Sequence, residues 1–207
     1  GPLPKGMTVV ASAVMPASVS PYGWQGARTA DTVVLEGYVP NAVALAELKE
    51  SAASLFPGLK VDDRVRVATG EPRMDWVGGV KFAMGELAKL RSGRVVLTDK
   101  SYTIEGEALS ADAYVAISDT NARTLPASLE LGASEVVPPR VSPYVFVAER
   151  RGNGIAIAGN VTDPRMEKRI LEEVGKRFPG AEPARSLVFA SGAPDRYVEA
   201  VALALQV

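Results

Sequence analysis

The order of hydrophobic and polar positions predicts two strands and a helix near the start of the chain. Residues 22–27 and 32–39 read as extended runs around a turn-prone segment, as in a β-hairpin. Apolar residues then recur at spacings of three and four over residues 41–55, which is typical of one face of a helix. Valine alternates with charged residues over 59–68, as in a strand with one wet face. The pattern therefore predicts the order β-β-α-β.

The same order of elements is predicted twice more. The middle region should contain the following elements in order: strands at 94–97 and 102–107, a short helix at 111–122 and a strand at 129–137. The last region should contain strands at 145–149 and 155–158, a helix at 164–178 and a strand at 185–190. Additional helices are predicted at 74–90 and 196–206. The expected fold is α+β, with three β-β-α-β units whose small mixed sheets are covered by helices.

Internal repetition supports this division. Val19-Ser20-Pro21-Tyr22 recurs as Val141-Ser142-Pro143-Tyr144, and the offset of 122 residues then also joins Gly37 to Gly159. A weaker match at an offset of 69 joins Gly37 to Gly106. We expect units over 19–91, 92–139 and 140–207, of which the first and third carry the additional helices. Residues 1–18 should be a tail with the strand of a truncated preceding unit, near 8–14.

Composition removes several classes of function. The chain has 207 residues, 47% of them hydrophobic, and 23 basic residues against 24 acidic ones, so a nucleic-acid surface is not expected. It has no His and no Cys, so the Ser-His-Asp and Cys-His arrangements and most zinc sites are excluded. We therefore predict no enzymatic activity, no catalytic residues, no metal and no cofactor. An enzyme that uses only Asp, Glu, Lys or Tyr would need a deep pocket with converging Glu and Lys side chains.

Two features are candidates for partner contacts. Five cations of the predicted helix at 164–178 could meet anionic lipid headgroups: Arg165, Lys168, Arg169, Lys176 and Arg177. The alternative is a salt-bridged, solvated face, because three glutamates share that helix. Phe82 lies opposite the apolar stripe of the helix at 74–90. It is either covered by a neighbouring unit or exposed as a contact for a partner.

Several short motifs together resemble a known group of proteins. They are Glu36-Gly37-Tyr38-Val39-Pro40, Phe56-Pro57-Gly58, and the pair Thr69-Gly70-Glu71-Pro72 and Ser191-Gly192-Ala193-Pro194. The combination resembles the tandem BON-like domains of bacterial envelope proteins, including OmpA-family proteins of α-proteobacteria. The resemblance implies a periplasmic module of the cell envelope, associated with the membrane or wall in the full-length protein, that binds phospholipid or envelope proteins.

Two functions follow as expectations. The first is a non-enzymatic envelope module whose partners are anionic phospholipid or envelope proteins. The alternative is a protein scaffold of an envelope complex that forms a homo-oligomer, as a ring or rod, through exposed strand edges and Phe82.

Overall fold

The computed structural model describes residues 16–152, 154–180 and 182–205, and over these residues the chain is α+β. The elements are, in order, β1 (Gly23–Arg28), β2 (Thr32–Val39), α1 (Ala42–Leu55), β3 (Lys60–Val67), α2 (Trp76–Ala88), β4 (Leu90–Thr98), β5 (Ser101–Ala108), α3 (Ala111–Asp119), β6 (Glu130–Val137), β7 (Phe146–Arg151), β8 (Gly154–Val161), α4 (Pro164–Arg177), β9 (Ala184–Phe189) and α5 (Tyr197–Ala204). A π-helical turn, Thr120–Thr124, continues α3. The strand predicted near 8–14 lies outside the described residues.

The strands form two mixed sheets. The large sheet has the order β3-β2-β1-β4-β5-β6, with β2 parallel to β3, β5 parallel to β6 and the remaining neighbours antiparallel. The small sheet has the order β7-β8-β9, with β7 antiparallel and β9 parallel to β8. The parallel pairs need a crossover, and α1, α3 and α4 supply it. Elements from the sequence regions 19–91 and 92–139 thus share one sheet.

Each crossover helix begins at a capping side chain in the same place of the repeat. Asn41 accepts a hydrogen bond from the Ala44 amide, and Ser110 accepts one from the Ala113 amide. Asp163 accepts from the amide of Met166. These caps satisfy amides that have no partner inside the helix, so the sequence fixes where each helix starts.

Glycine is required where β2 and β8 approach their antiparallel neighbours. Gly37 has φ of 121° and Gly159 has φ of 140°, in the region that side chains with a Cβ rarely adopt. A Cβ on Gly37 would collide with the carbonyl oxygen of Gly23, and one on Gly159 with that of Val145. The glycine match in the sequence therefore reflects one backbone contact that is made in both sheets.

Two separate groups of buried side chains stabilise the sheets. The larger core lies between the large sheet and helices α1 and α2, and it contains both tryptophans, Trp24 and Trp76. The smaller core is formed by the small sheet with α4 and α5, around Ile157, Ile170 and Val201. The apolar stripes seen in the sequence face these cores.

The structure confirms the α+β class and most predicted elements, with shifted boundaries. Strand β4 begins at Leu90, directly after α2, and is longer than the predicted 94–97. Helix α3 ends at Asp119 and continues as the π-helical turn rather than as α-helix to residue 122. Helix α2 begins at Trp76 because the Asp75 side chain accepts from the Gly78 amide, two residues after the predicted start.

Candidate interaction surfaces

The repeated tyrosine of the Val-Ser-Pro-Tyr match joins each sheet to the chain that leaves it. The Tyr22 hydroxyl donates to the carbonyl of Ala68 at 2.9 Å, and the Tyr144 hydroxyl donates to the carbonyl of Ala190 at 3.2 Å. Both pairs are related by the same 122-residue offset. Burial raises the pKa of Tyr22 to about 12, with a further contribution from Glu71. These tyrosines are structural.

An aromatic residue on the following helix covers each tyrosine. The Trp76 ring packs edge-on against Tyr22 with centroids 5.0 Å apart, and its indole N–H donates to the Tyr38 carbonyl at 3.0 Å. Tyr197 packs edge-on against Tyr144 at 4.8 Å, and its hydroxyl lies 3.1 Å from the Asn160 carbonyl. Helices α2 and α5 thus pack against the repeated tyrosines in the same way. Trp76 and Tyr197 are 121 residues apart, one fewer than the 122 residues between Tyr22 and Tyr144.

The cations predicted on helix α4 are all exposed. Arg165, Lys168, Arg169 and Lys176 fall on the side opposite the buried Ile170 and Val174, whereas Arg177, seven residues after Ile170, lies on the same side as the buried residues at the end of the helix. We call the first four cations the basic face, and Arg177 lies outside it. The structure brings them together on one helix, directed to solvent.

Ion pairing neutralises only part of the basic face. Lys176 pairs with Glu173, whereas Glu167 pairs with Arg185 of β9. Arg165, Lys168 and Arg169 form no ion pair with any carboxylate in the described residues. A fully salt-bridged helix, the alternative interpretation, would have paired them, so the geometry favours a positive surface.

Phe82 lies away from the basic face and is half-buried. Its ring contacts Tyr102 of β5 with centroids 5.4 Å apart, and it packs against the larger core. Of the two interpretations, its position favours coverage by the neighbouring part of the sheet. The reason is that β4 and β5 extend the sheet under α2.

The small sheet exposes apolar groups that the sequence analysis did not single out. Val147 of β7 is 55% exposed, Val188 of β9 is 47% exposed and Leu203 of α5 is 64% exposed. Strand β7 pairs only with β8 among the described strands, so alternate backbone groups of β7 lack a strand partner. The alternation of apolar and polar residues along a strand indicates which face of the strand is buried, but it does not indicate whether the strand lies at the edge of a sheet. The sequences of β1 and β7 therefore could not reveal that β7, unlike β1, is an edge strand among the described strands.

The open face of the large sheet is polar by contrast. Glu36 accepts from Gln25 at 2.8 Å and pairs with Arg64 at 2.9 Å, and Arg94 pairs with Glu105 at 2.9 Å. A depression of about 570 Å³ lies on this face, and Glu36 and Arg64 are among its lining residues. The Glu36 carboxylate in this depression is already held by the guanidinium of Arg64.

A second cavity, of about 310 Å³, lies beneath helix α1. Its walls are apolar, with Leu35, Leu48 and Val61 among them, and Lys49 and Asp63 lie at the cavity 3.6 Å apart as an ion pair. Trp24 also lines it, and its buried indole N–H finds no hydrogen-bond partner among the residues that the structure describes.

Two further features are absent from the described residues. Among them no group of three or more acidic side chains is placed to hold a metal ion. No α-helix of the described ranges is both long and apolar enough to cross a membrane. No known protein family and no curated protein shows a significant match to the chain.

Proposed function

We propose that this chain is a non-enzymatic, periplasmic module of the bacterial cell envelope, composed of three BON-like β-β-α-β units, that attaches to anionic phospholipid through the basic face of α4. The observation that carries the proposal is the group of exposed cations on one side of α4 that form no ion pair with a carboxylate of the described residues, Arg165, Lys168 and Arg169. Each Lys or Arg near an anionic membrane contributes about 1 kcal/mol of attraction. The matching hydrogen bonds of Tyr22 and Tyr144 support the repeat assignment.

Vesicle flotation tests this function. The chain should co-float with phosphatidylglycerol-containing vesicles at low salt and separate from them near 1 M salt, where the Debye length falls to about 3 Å. The double variant Lys168→Glu/Arg169→Glu should abolish co-flotation. A matched control, Lys60→Glu/Arg73→Glu, makes the same charge change at exposed cations outside α4 and should still float. Equal loss in both variants, or no flotation of the unchanged chain, would refute attachment through α4.

A second candidate is a protein scaffold of the envelope. The unpaired edge of β7, next to the exposed Val147, favours it, because such an edge is a ready site for strand addition. This function predicts a protein partner and does not require lipid.

A further inference from the structure

Strand β7 occupies the place of β1 but has a free edge. The 122-residue offset sets Phe146 at the place of Trp24 and Ala148 at that of Gly26. Strand β1 pairs with β2 on one side and with β4 on the other, and Gly26 is buried. Among the described strands β7 pairs with β8 alone, and Ala148 is exposed. Within the described part of the chain, the small sheet thus has no neighbouring strand where the large sheet has β4.

Helix α5 has an uncovered face at the matching place. Its Tyr197, Val201 and Leu205 are buried, as are Trp76, Val80 and Met84 of α2, at an offset of 121. That offset relates a second set of α2 residues to the bare face of α5, which consists of Ala200, Leu203 and Ala204. The α2 counterparts are Gly79, Phe82 and Ala83. All three bare-face residues are exposed.

The α2 counterparts are covered by the second half of the large sheet. Phe82 contacts Tyr102 of β5, and a Cβ placed on Gly79 would come within 4.0 Å of Leu129 and Leu97. Ala83 is fully buried. Tyr102, Leu97 and Leu129 belong to the segment 90–137, and Met74 lies beside the Gly79 position as well. In the large sheet this segment covers the edge of β1 and one face of α2. The free edge of β7 and the bare face of α5 are the counterparts of these two surfaces.

The join between β1 and β4 shows how such a neighbour is held. The strands are antiparallel, and Gly26 lies opposite Val95, its own counterpart at the 69-residue offset. The two halves of the large sheet thus meet about a local two-fold axis. The same join on the small sheet would be centred on Ala148.

We infer that the β7 edge and the bare face of α5 together bind a β-β-α-β protein unit that carries a single helix, of the kind formed by residues 90–137. Its first strand adds antiparallel to β7 in a register centred on Ala148. Apolar side chains at the places of Leu97, Tyr102 and Leu129 cover Leu203. The inference rests on the second proposed function and names the partner of that surface.

The number of helices distinguishes this partner from a second copy of the chain. Six strands spaced about 4.8 Å apart give a sheet about 24–29 Å wide, and helices pack about 8–10 Å from one another. Such a sheet has room for three helices, and three helices, α1, α2 and α3, connect the strands of the large sheet. Two copies of the small sheet would bring four, a pair of α4 and a pair of α5. A partner unit with one helix would bring the number of helices, with α4 and α5, to three.

A fusion supplies the inferred partner in register. The 121-residue offset sets Val207 at the place of Glu86, so residues 87–139 of the same chain are appended directly after Val207. Amide hydrogen exchange is then compared with that of the 207-residue chain. We expect the outward amides of β7 and the amides of α5 to exchange at least about tenfold more slowly in the fusion.

The matched control is Leu203→Glu, made in both chains. Leu203 is 64% exposed, so the 207-residue variant should keep the protection of Ile170 and Val174 in α4. In the fusion the same change should return β7 to its unprotected rate. If the outward amides of β7 exchange as fast in the fusion without Leu203→Glu as in the 207-residue chain, the inference is overturned. This holds whether the appended segment is folded or unfolded.

Sedimentation of the 207-residue chain gives an independent outcome. We expect a monomer, and a dimer that Leu203→Glu dissociates would overturn the inference by identifying a second copy as the partner. Vesicle binding through α4 involves neither β7 nor Leu203, so failure of either proposal leaves the other testable.

Discussion

The large and small sheets begin with the same succession of strands, capped helix and parallel strand, yet their first strands have different surroundings. Strand β1 is interior to its sheet, and α2 is buried on two sides. Strand β7 is an edge, and α5 buries only one side. Nearly identical local structure therefore leads to a closed region and an open one, and the difference arises from the segment 90–137.

The largest effect should come from the aromatic residue that attaches each additional helix. Trp76→Ala should cost about 3–5 kcal/mol in the larger core, because a fully packed ring and its hydrogen bond to Tyr38 are lost. Tyr197→Ala should unfold the small core at lower urea while leaving the Trp24 fluorescence transition unchanged. Urea unfolding that is monitored by fluorescence and by circular dichroism measures the unfolding transitions of the two cores. A shift of both transitions in either variant would show that they unfold as one.

A smaller difference should separate the counterparts Phe82 and Leu203. Phe82→Ala should cost about 2 kcal/mol, because the half-buried ring loses its contact with Tyr102. Leu203→Ala should change the unfolding free energy by less than about 0.5 kcal/mol, since the side chain is mostly exposed. Thermal or urea unfolding of each variant measures both values. Equal costs would mean that α5 is covered in solution.

The tyrosine hydrogen bonds give a finer comparison. Tyr22→Phe should cost about 1–3 kcal/mol, because the hydroxyl bonds a carbonyl in the buried interior at 2.9 Å. Tyr144→Phe should cost about 1 kcal/mol or less, since its bond is longer, at 3.2 Å, and only partly buried. The same urea series reports both variants. A larger loss for Tyr144→Phe would contradict the more solvated character of the small core.

The smallest effect concerns pH. Glu86 is the one buried charged residue of the described ranges, and burial raises the pKa of its carboxyl above the ordinary glutamate value although Lys89 opposes the shift. The folded state then binds this proton more tightly than the unfolded state, so the stability it contributes is lost as pH rises from about 4.5 through the folded pKa. Glu86→Gln cannot titrate. Its unfolding free energy relative to the unchanged chain should therefore rise between about pH 4 and pH 7.

Urea titrations at several pH values between these limits measure that difference. A difference that is constant with pH, or that falls as pH rises, would contradict the sign. Small-core transitions should show no such dependence on Glu86, because the residue lies in α2.

Local chemistry explains which parts of the fold were predictable. The cap residues Asn41, Ser110 and Asp163, and the glycines at 37 and 159, carry their structural reason in the residue type, so the sequence located the elements they define. The pairing of β1 with β4 has no such local reason. It joins strands that are about 70 residues apart, and alternation alone does not choose a neighbour.

The candidate surfaces divide in the same way. The basic face was visible because cation spacing on a helix follows from sequence alone. The bare face of α5 was not, since Ala200, Leu203 and Ala204 read like any core stripe and only the absence of a covering segment leaves them exposed. The position of Phe82 could likewise be decided only once β5 was placed beneath it.

The most direct test of this account is amide hydrogen exchange of the 207-residue chain, compared between β1 and β7. We predict that β1 is protected along its whole length, because both its neighbours bond to it, whereas alternate amides of β7 exchange close to the rate of an unpaired edge. The measurement should be made on the monomer at low concentration. Uniform protection of β7, equal to that of β1, would contradict the claim that the small sheet is the open counterpart of the large one.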